Sequence, residues 1–172
     1  AGQAAVNRAP TDLTAILRST AEKLSLRAAE SHVILRTAIG PLPTVVADGD
    51  RLAQVFTNLL DNALRHTPAG GTVTLAAHVN NGAGGGVEIT VTDTGTGIPA
   101  EDLPRIFERF YRVDKSRAAT KGYGLGLTIS KEIVQAHKGV ISAESVVNLG
   151  TKFTVRLPAA QSTDTTVVRR KT

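Results

Sequence analysis

Leu52, Val55, Phe56, Leu59, Leu60, Ala63 and Leu64 recur at helical spacing, which fixes a helix with one strongly apolar face that the rest of the chain has to cover. Asp48 or Asp50 can cap its start, and Pro68-Ala69-Gly70-Gly71 ends it. Upstream, Leu13, Ile16, Leu17, Leu24 and Leu26 predict a first amphipathic helix, followed by a short strand around His32–Ile39 and a break at Gly40-Pro41. Downstream, Thr72–Val79 and Val87–Asp93 alternate as two strands joined by a flexible loop from Asn80 to Gly86. A short helix near Glu101–Phe110, an irregular basic segment, a helix from about Gly126 to His137, and strands at Val140–Ser145 and Lys152–Leu157 complete the chain. The strands come in adjacent pairs, not in strict alternation with helices. The expected fold is therefore α+β, a sandwich with one mixed sheet covered on one face by helices.

With 172 residues, 41% of them hydrophobic, the chain can build one substantial core and reads as a single domain. No apolar run approaches the roughly 18 residues that span a bilayer, and the N-terminus lacks the basic-then-apolar order of a signal peptide. The chain reads as soluble, without direct membrane contact. Residues 1–10 are small and polar, and the stretch from Gln161 to Thr172 is Thr-rich without apolar periodicity, so both ends read as frayed or linker-like. The absence of cysteine rules out disulfides, thiolate metal sites and a thiolate nucleophile, and suits a reducing cytoplasm. His32, His66, His78 and His137 are scattered without metal-ligand spacing.

A net charge of +5 could suit nucleic acid, but only 3% of residues are aromatic and none interleaves with a basic stripe, so no base-stacking platform exists. The charge is also local. Arg105, Arg109, Arg112, Lys115, Arg117 and Lys121 face only Glu108 and Asp114, a cluster that a small polyanion would match.

Three elements can carry chemistry. On the second helix Asn58, Asn62, Arg65 and His66 stand at i, i+4, i+7 and i+8, placing two amides, a guanidinium and an imidazole on one face. Amide oxygens suit Mg²⁺, which takes a few protein oxygens together with water and phosphate, and Arg65 could meet phosphate. The same stripe also suits an ordinary solvated face. At the end of a strand, Asp93-Thr94-Gly95-Thr96-Gly97-Ile98-Pro99 offers a carboxylate that can accept from an amine beside glycines that let backbone pack on a flat ligand. It equally suits a plain turn. Third, Gly122-Tyr123-Gly124-Leu125-Gly126-Leu127 leads into a helix and can aim backbone N–H groups at phosphates, or act as a hinge. It is neither a dinucleotide fingerprint nor a Walker lysine loop.

Taken in order, these segments resemble the boxes of histidine kinase catalytic domains. Asn58-Leu-Leu-Asp-Asn62-Ala-Leu-Arg65-His66-Thr67 resembles the N box, Asp93-Thr-Gly95-Thr-Gly97 the G1 box, Phe107-Glu-Arg-Phe110 the F box, and Gly122-Tyr-Gly124-Leu-Gly126-Leu the G2 box. The resemblance covers roughly residues 11–158 and extends to the superfamily of gyrase, Hsp90, histidine kinase and mismatch-repair ATPases. It implies a Bergerat fold, a two-layer α/β sandwich with a mixed, mostly antiparallel sheet, and it implies ATP and Mg²⁺ as cofactors.

By the same resemblance Asn62 is the Mg²⁺ ligand, Asn58 its partner on the phosphate side, and Arg65 and His66 contact phosphate or ribose. Asp93 reads adenine with Thr151, while Gly95, Gly97 and Ile98 line the base and Gly122, Gly124, Leu125, Gly126 and Leu127 the phosphates. Residues 111–123 become a mobile lid, Arg109 approaches the γ-phosphate, and Phe107 and Phe110 anchor the lid or simply join the core. Asn148 stands where the family's last box has its first glycine, and asparagine also tolerates left-handed backbone. The phosphoacceptor box, a histidine followed by an acidic residue, is absent.

The implied organisation is a linker at 1–10 from an upstream dimerisation domain, the catalytic domain at 11–158 and a disordered tail at 159–172. The implied partners are that dimerisation and phosphoacceptor domain and a response regulator. The full-length protein would be a homodimer, and this chain, monomeric in isolation, the cytoplasmic part of a membrane-anchored sensor. The nearest rival is an ATPase of the same superfamily, which carries a glutamate where Asn58 stands; an amide cannot take a proton from water. The other is a nucleotide-gated interaction module, against which intact Asn62, Asp93, Gly124 and Gly126 count.

Overall fold

The computed structural model describes residues 6–82, 85–109 and 123–158. Residues 110–122 and 159–172, and with them Phe110, Gly122, the expected lid through residue 122 and the expected tail, lie outside the described residues.

Helix α1 (Leu13–Glu30) and helix α2 (Gly49–His66) both start on an aspartate. Asp12 Oδ1 accepts from Ala15 N at 3.1 Å and Asp48 Oδ1 from Arg51 N at 3.2 Å, each satisfying one of the orphan donors of a first turn. The apolar stripe of α2 is sealed completely: Leu52, Val55, Phe56, Leu60 and Ala63 have no exposure. The strands that cover it form a five-stranded sheet in the order β2 (Ile34–Ile39), β4 (Thr72–Val79), β5 (Val87–Asp93), β7 (Gly150–Leu157), β6 (Val140–Val146). Only β2 and β4 run parallel. Helix α2 lies against β4 and β5, α3 (Tyr123–Ala136) against β6 and α2, and α1 against α2 and β2. The fold is thus the expected mixed, mostly antiparallel sheet with helices on one face.

Register then decides which side chains meet the helices. Val73, Leu75 and Ala77 pair with Asp93, Val91 and Ile89, and these with Thr151, Phe153 and Val155. All nine side chains are buried. The alternate positions carry Glu88, Thr92, Lys152 and Arg156 on the open face, where Arg156 Nε meets Glu88 at 3.2 Å. Since a strand alternates faces with every residue, Asp93 falls in line with Val87, Ile89 and Val91, a carboxylate in a core row.

Four features differ from the sequence reading. A second sheet of β1 (Ala9–Thr11) and β3 (Val45–Ala47) was not expected, because three-residue strands carry no detectable period. The 1–10 boundary falls inside β1, and the residues before it are bonded to the domain: Asn7 N donates to Asp48 Oδ2 at 3.0 Å and Arg8 Nη2 to Ala136 O at 2.6 Å. The described part of the Glu101–Phe110 segment forms a single 3-10 turn, Leu103–Arg105, with a proline in its first turn. Helix α3 begins at Tyr123, upstream of the expected Gly126, so packing on α2 and β6 overrides the poor helix propensity of Gly124 and Gly126.

His137, which has no role in the sequence motifs, is a buried strut. Its Nδ1 donates to Ile133 O at 2.8 Å and its Nε2 accepts from Asp48 N at 2.9 Å, joining the end of α3 to the start of α2 and fixing one tautomer.

Candidate functional site

The site forms where β5 ends beneath α2. Asp93 is 4% exposed, and its Oδ1 accepts from Gly95 N at 2.9 Å and Thr151 N at 3.2 Å. No described donor is bonded to Oδ2, yet no buried side-chain polar atom among the described residues lacks a partner. Oδ2 is therefore not fully sealed and has room for a further donor. Burial pushes the Asp93 carboxyl above its ordinary range, against the opposing pull of the Gly95 and Thr151 N–H groups. A carboxylate that burial disfavours is one that gains from an incoming donor.

The loop after Asp93 is clamped on both sides, and the clamps explain its glycines. A Cβ at Gly95 would lie 2.3 Å from His66 O, and one at Gly150 would lie 1.9 Å from Asp93 O. Gly97 has φ +75° and is pressed against the Val146 carbonyl. Thr96 N donates to His66 O at 3.1 Å and Asn148 N to Thr96 O at 2.8 Å, so the loop bridges the end of α2 and the β6–β7 turn. Asn148 adopts φ 65°, the left-handed geometry that the departure from glycine requires.

Ser145 was missed by sequence reasoning. Its hydroxyl donates to Gly150 O at 2.9 Å and accepts from Ile98 N at 2.7 Å; with its one proton used, it accepts from Thr151 Oγ1, also at 2.9 Å. It thereby holds Ile98 and Thr151 around Asp93. The signal is its position directly opposite Thr151, which becomes visible only once the hairpin register is known.

The end of α2 meets this loop at the His66 carbonyl, and the polar face of the helix runs back from there toward α3. Asn58 Nδ2 lies 3.4 Å from both Gly126 O, at the start of α3, and the Ser130 hydroxyl one turn further along it. A carbonyl can only accept, so the amide orientation is set, with Nδ2 toward Gly126 O. Asn62 is half-buried one turn on. Arg65 Nε bonds Asp61 Oδ2 at 3.1 Å, and burial followed by the neighbouring Arg65 charge holds the His66 imidazole below its usual pKa. Gly126 leaves room: a Cβ there would sit 3.8 Å from Asn58 Cγ, an ordinary contact.

Gly124, Leu125, Gly126 and Leu127 lie in the first turns of α3, whose leading N–H groups have no intrahelical acceptor. Phe107 packs edge-on against Phe153 at 6.3 Å, and its carbonyl accepts from the Thr128 hydroxyl at 2.9 Å. Arg109, exposed, pairs with Glu132 of α3 at 3.2 Å. The structure thus joins His66, Asp93, Gly95, Gly97, Ile98 and Thr151 through the loop after β5, holds Asn58 against α3 with Asn62 one turn further along α2, and places Arg65 and Arg109 at carboxylates of their own.

A buried carboxylate at a strand end, an amide-bearing helix and a glycine-containing helix start suit a nucleotide-binding domain, and comparison with known proteins gives its class. Residues 47–161 match the family of histidine kinase-, DNA gyrase B- and HSP90-like ATPases, and the chain belongs to that family. It is 40% identical over 149 residues to the adaptive-response sensory kinase SasA of Synechococcus elongatus, covering 86% of this chain and 38% of SasA. Over 115 residues it is 47% identical to the sensor histidine kinase WalK of Bacillus subtilis, covering 66% of this chain and 19% of WalK. Full-length ShkA in complex with AMPPNP superposes with a TM-score of 0.79 at 34% identity, covering 93% of this chain and 33% of ShkA. The chain therefore spans well under half the length of these relatives and corresponds to their ATP-binding catalytic domain. Among the described residues no helix is long and apolar enough to cross a membrane.

Proposed function

We propose that this chain holds Mg-ATP and delivers its γ-phosphate to a histidine on a separate dimerisation domain, for relay to a response regulator. The observation that carries the reading is Asp93, buried in the core row with Oδ1 engaged and Oδ2 left without a bonded donor. A carboxylate there accepts from the exocyclic amine of adenine and opposes guanine, which offers a carbonyl at that position. Thr151 and Ile98, held by Ser145, flank the base.

Asn58 and Asn62 fit magnesium. They offer neutral amide oxygens, and the described residues contain no cluster of three His, Cys, Asp or Glu, so an ion here would take most of its oxygens from phosphate and water. When bound, the ion would offset charge on the phosphate oxygens. Asn62 would hold it, Asn58 would face the phosphates while anchored to α3, and Arg65 and His66 would meet phosphate or ribose. The N–H groups from Gly124 to Leu127 would receive the phosphates at the helix start, and Arg109 would exchange Glu132 for the γ-phosphate. This machinery positions and neutralises, which is most of what phosphoryl transfer asks of a protein.

Asn58 also separates transfer from hydrolysis. Its amide already donates to Gly126 O and has no proton-accepting capacity for water. The parent protein, on this reading, is a homodimeric sensor kinase whose phosphoacceptor helix lies outside this chain, with this part in the cytoplasm. The AMPPNP complex of ShkA and the kinase names of SasA and WalK support it.

The test is transfer in trans. Incubated with radiolabelled ATP, the chain alone stays unlabelled and hydrolyses little; with the dimerisation domain of its own parent protein, label appears there as acid-labile, base-stable phosphohistidine. Asn62→Ala abolishes the transfer. Vigorous hydrolysis by the lone chain, or an acid-stable phosphoserine on the partner, would refute the kinase reading.

A further inference from the structure

Asp61 stands between two guanidiniums. Arg27, near the end of α1, bonds its Oδ1, and Arg65, one turn further along α2, bonds its Oδ2 through Nε at 3.1 Å. None of the three side chains is sealed: Arg27 is 40%, Asp61 26% and Arg65 33% exposed. Burial lowers the pKa of Arg27, and the charge of Arg65 lowers it further, so the two cations sense each other and Asp61 is the anion that holds them side by side.

The position of Arg65 on the helix matters here. At the turn angle of an α-helix it projects about 20° from Asn58 and about 40° from Asp61, between the polar face of the site and the α1 side. A guanidinium has five N–H donors, of which a single carboxylate engages at most two. Arg65 can therefore keep Asp61 and still present donors along the Asn58 and Asn62 face.

We propose that Asp61 is a positioning residue for phosphate binding: held from α1 by Arg27, it fixes the Nε end of Arg65 and keeps the remaining donors of that guanidinium directed at the nucleotide's phosphates. The proposal rests on the nucleotide reading of the site. A plain α1–α2 tether would need only one arginine, and partly exposed ion pairs are weak tethers because both ions remain largely hydrated when apart. The second arginine is the one that shares the helix face of Asn58 and Asn62.

Isothermal titration of ATP and adenosine into the wild-type chain, Asp61→Asn, Asp61→Glu, Arg65→Gln and the Asp61→Asn/Arg65→Gln double variant tests this. Asp61→Asn weakens ATP about three- to tenfold, the range of a lost charge-assisted constraint, and leaves adenosine within about twofold. Asp61→Glu recovers most of the ATP affinity. In the Arg65→Gln background, Asp61→Asn adds nothing further, because it acts through a guanidinium no longer present. Asp61→Ser, read the same way, substitutes for Asp61→Asn should that variant fail to fold.

Equal weakening of ATP and adenosine, additivity with Arg65→Gln, or unchanged ATP binding would each overturn the proposal. If the wild-type chain binds ATP and only the variants disagree, Asp61 alone loses its role. If the wild-type chain binds no nucleotide, the reading beneath it falls as well.

Discussion

Replacing Asp93 by asparagine separates recognition from folding. In the wild-type chain Oδ1 accepts from Gly95 N at 2.9 Å and Thr151 N at 3.2 Å. The asparagine side chain can keep an oxygen in that position, so the strand end and loop stay in place. The other position becomes an NH₂ that would meet the adenine amine donor to donor. Losing a hydrogen bond to a charged group costs about 1.5–3 kcal/mol, which is a loss of about 10- to 150-fold in ATP affinity.

Stability should move the other way. Burial raises the Asp93 pKa more than its two hydrogen bonds lower it. A group raised in this way contributes stability that is fully present below the ordinary carboxylate range and lost as pH rises through its raised value. Near pH 7 the ionised side chain is therefore a load on the nucleotide-free fold. Asp93→Asn is expected to melt at or above the wild-type temperature at pH 7, with the difference closing in acid. Calorimetric titration with ATP and GTP, together with circular-dichroism melts from pH 4 to 8, reads both effects. Unchanged ATP affinity, or a loss of affinity that merely follows a lower melting temperature, would refute the reasoning.

Other substitutions test the frame around the site. Asp48→Ala removes the acceptor of Arg51 N and Asn7 N and should cost about 2.5 kcal/mol, lowering the melting temperature by about 5–10 °C. The Asn7 N–H is the largest of several contacts that hold the Asp48 carboxyl below its usual pKa. Its stabilisation is therefore present above the ordinary carboxylate pKa and lost as pH falls through the lowered value, and the gap between variant and wild type should close below about pH 4; a gap constant with pH would contradict this. Gly150→Ala drives a Cβ to within 1.9 Å of Asp93 O, so both melting temperature and ATP affinity should fall. Gly126→Ala meets nothing closer than 3.8 Å and relieves a helical glycine, so its melting temperature should hold or rise; the reverse order of the two glycine variants would show that the loop is not clamped as described.

Periodicity and covalent geometry are legible within short stretches of the chain. The α2 stripe from Leu52 to Leu64, the strands Thr72–Val79 and Val87–Asp93, and a capping aspartate ahead of α2 are all where short-range pattern places them. Asp93, Gly95 and Gly97 were readable as a carboxylate in a glycine turn, and Asn58 and Asn62 as one helix face, because spacing alone sets which side chains share a face.

What those faces meet depends on contacts made in the folded chain. Strand register turned Asp93 into a buried core-row carboxylate opposite Thr151, and hairpin pairing brought Ser145 against Ile98 and Thr151 from 47 and 6 residues away. The capping choice went to Asp48 because Asn7 and His137, far off in sequence, bond it there. The β1–β3 ribbon, too short to show a period, exists because its two segments lie side by side, and α3 starts at Tyr123 because packing outweighs what its glycines prefer. Local pattern fixes which way a side chain points along its own element; the partner it finds there is set by contacts between residues tens of positions apart, and no window along the chain contains both.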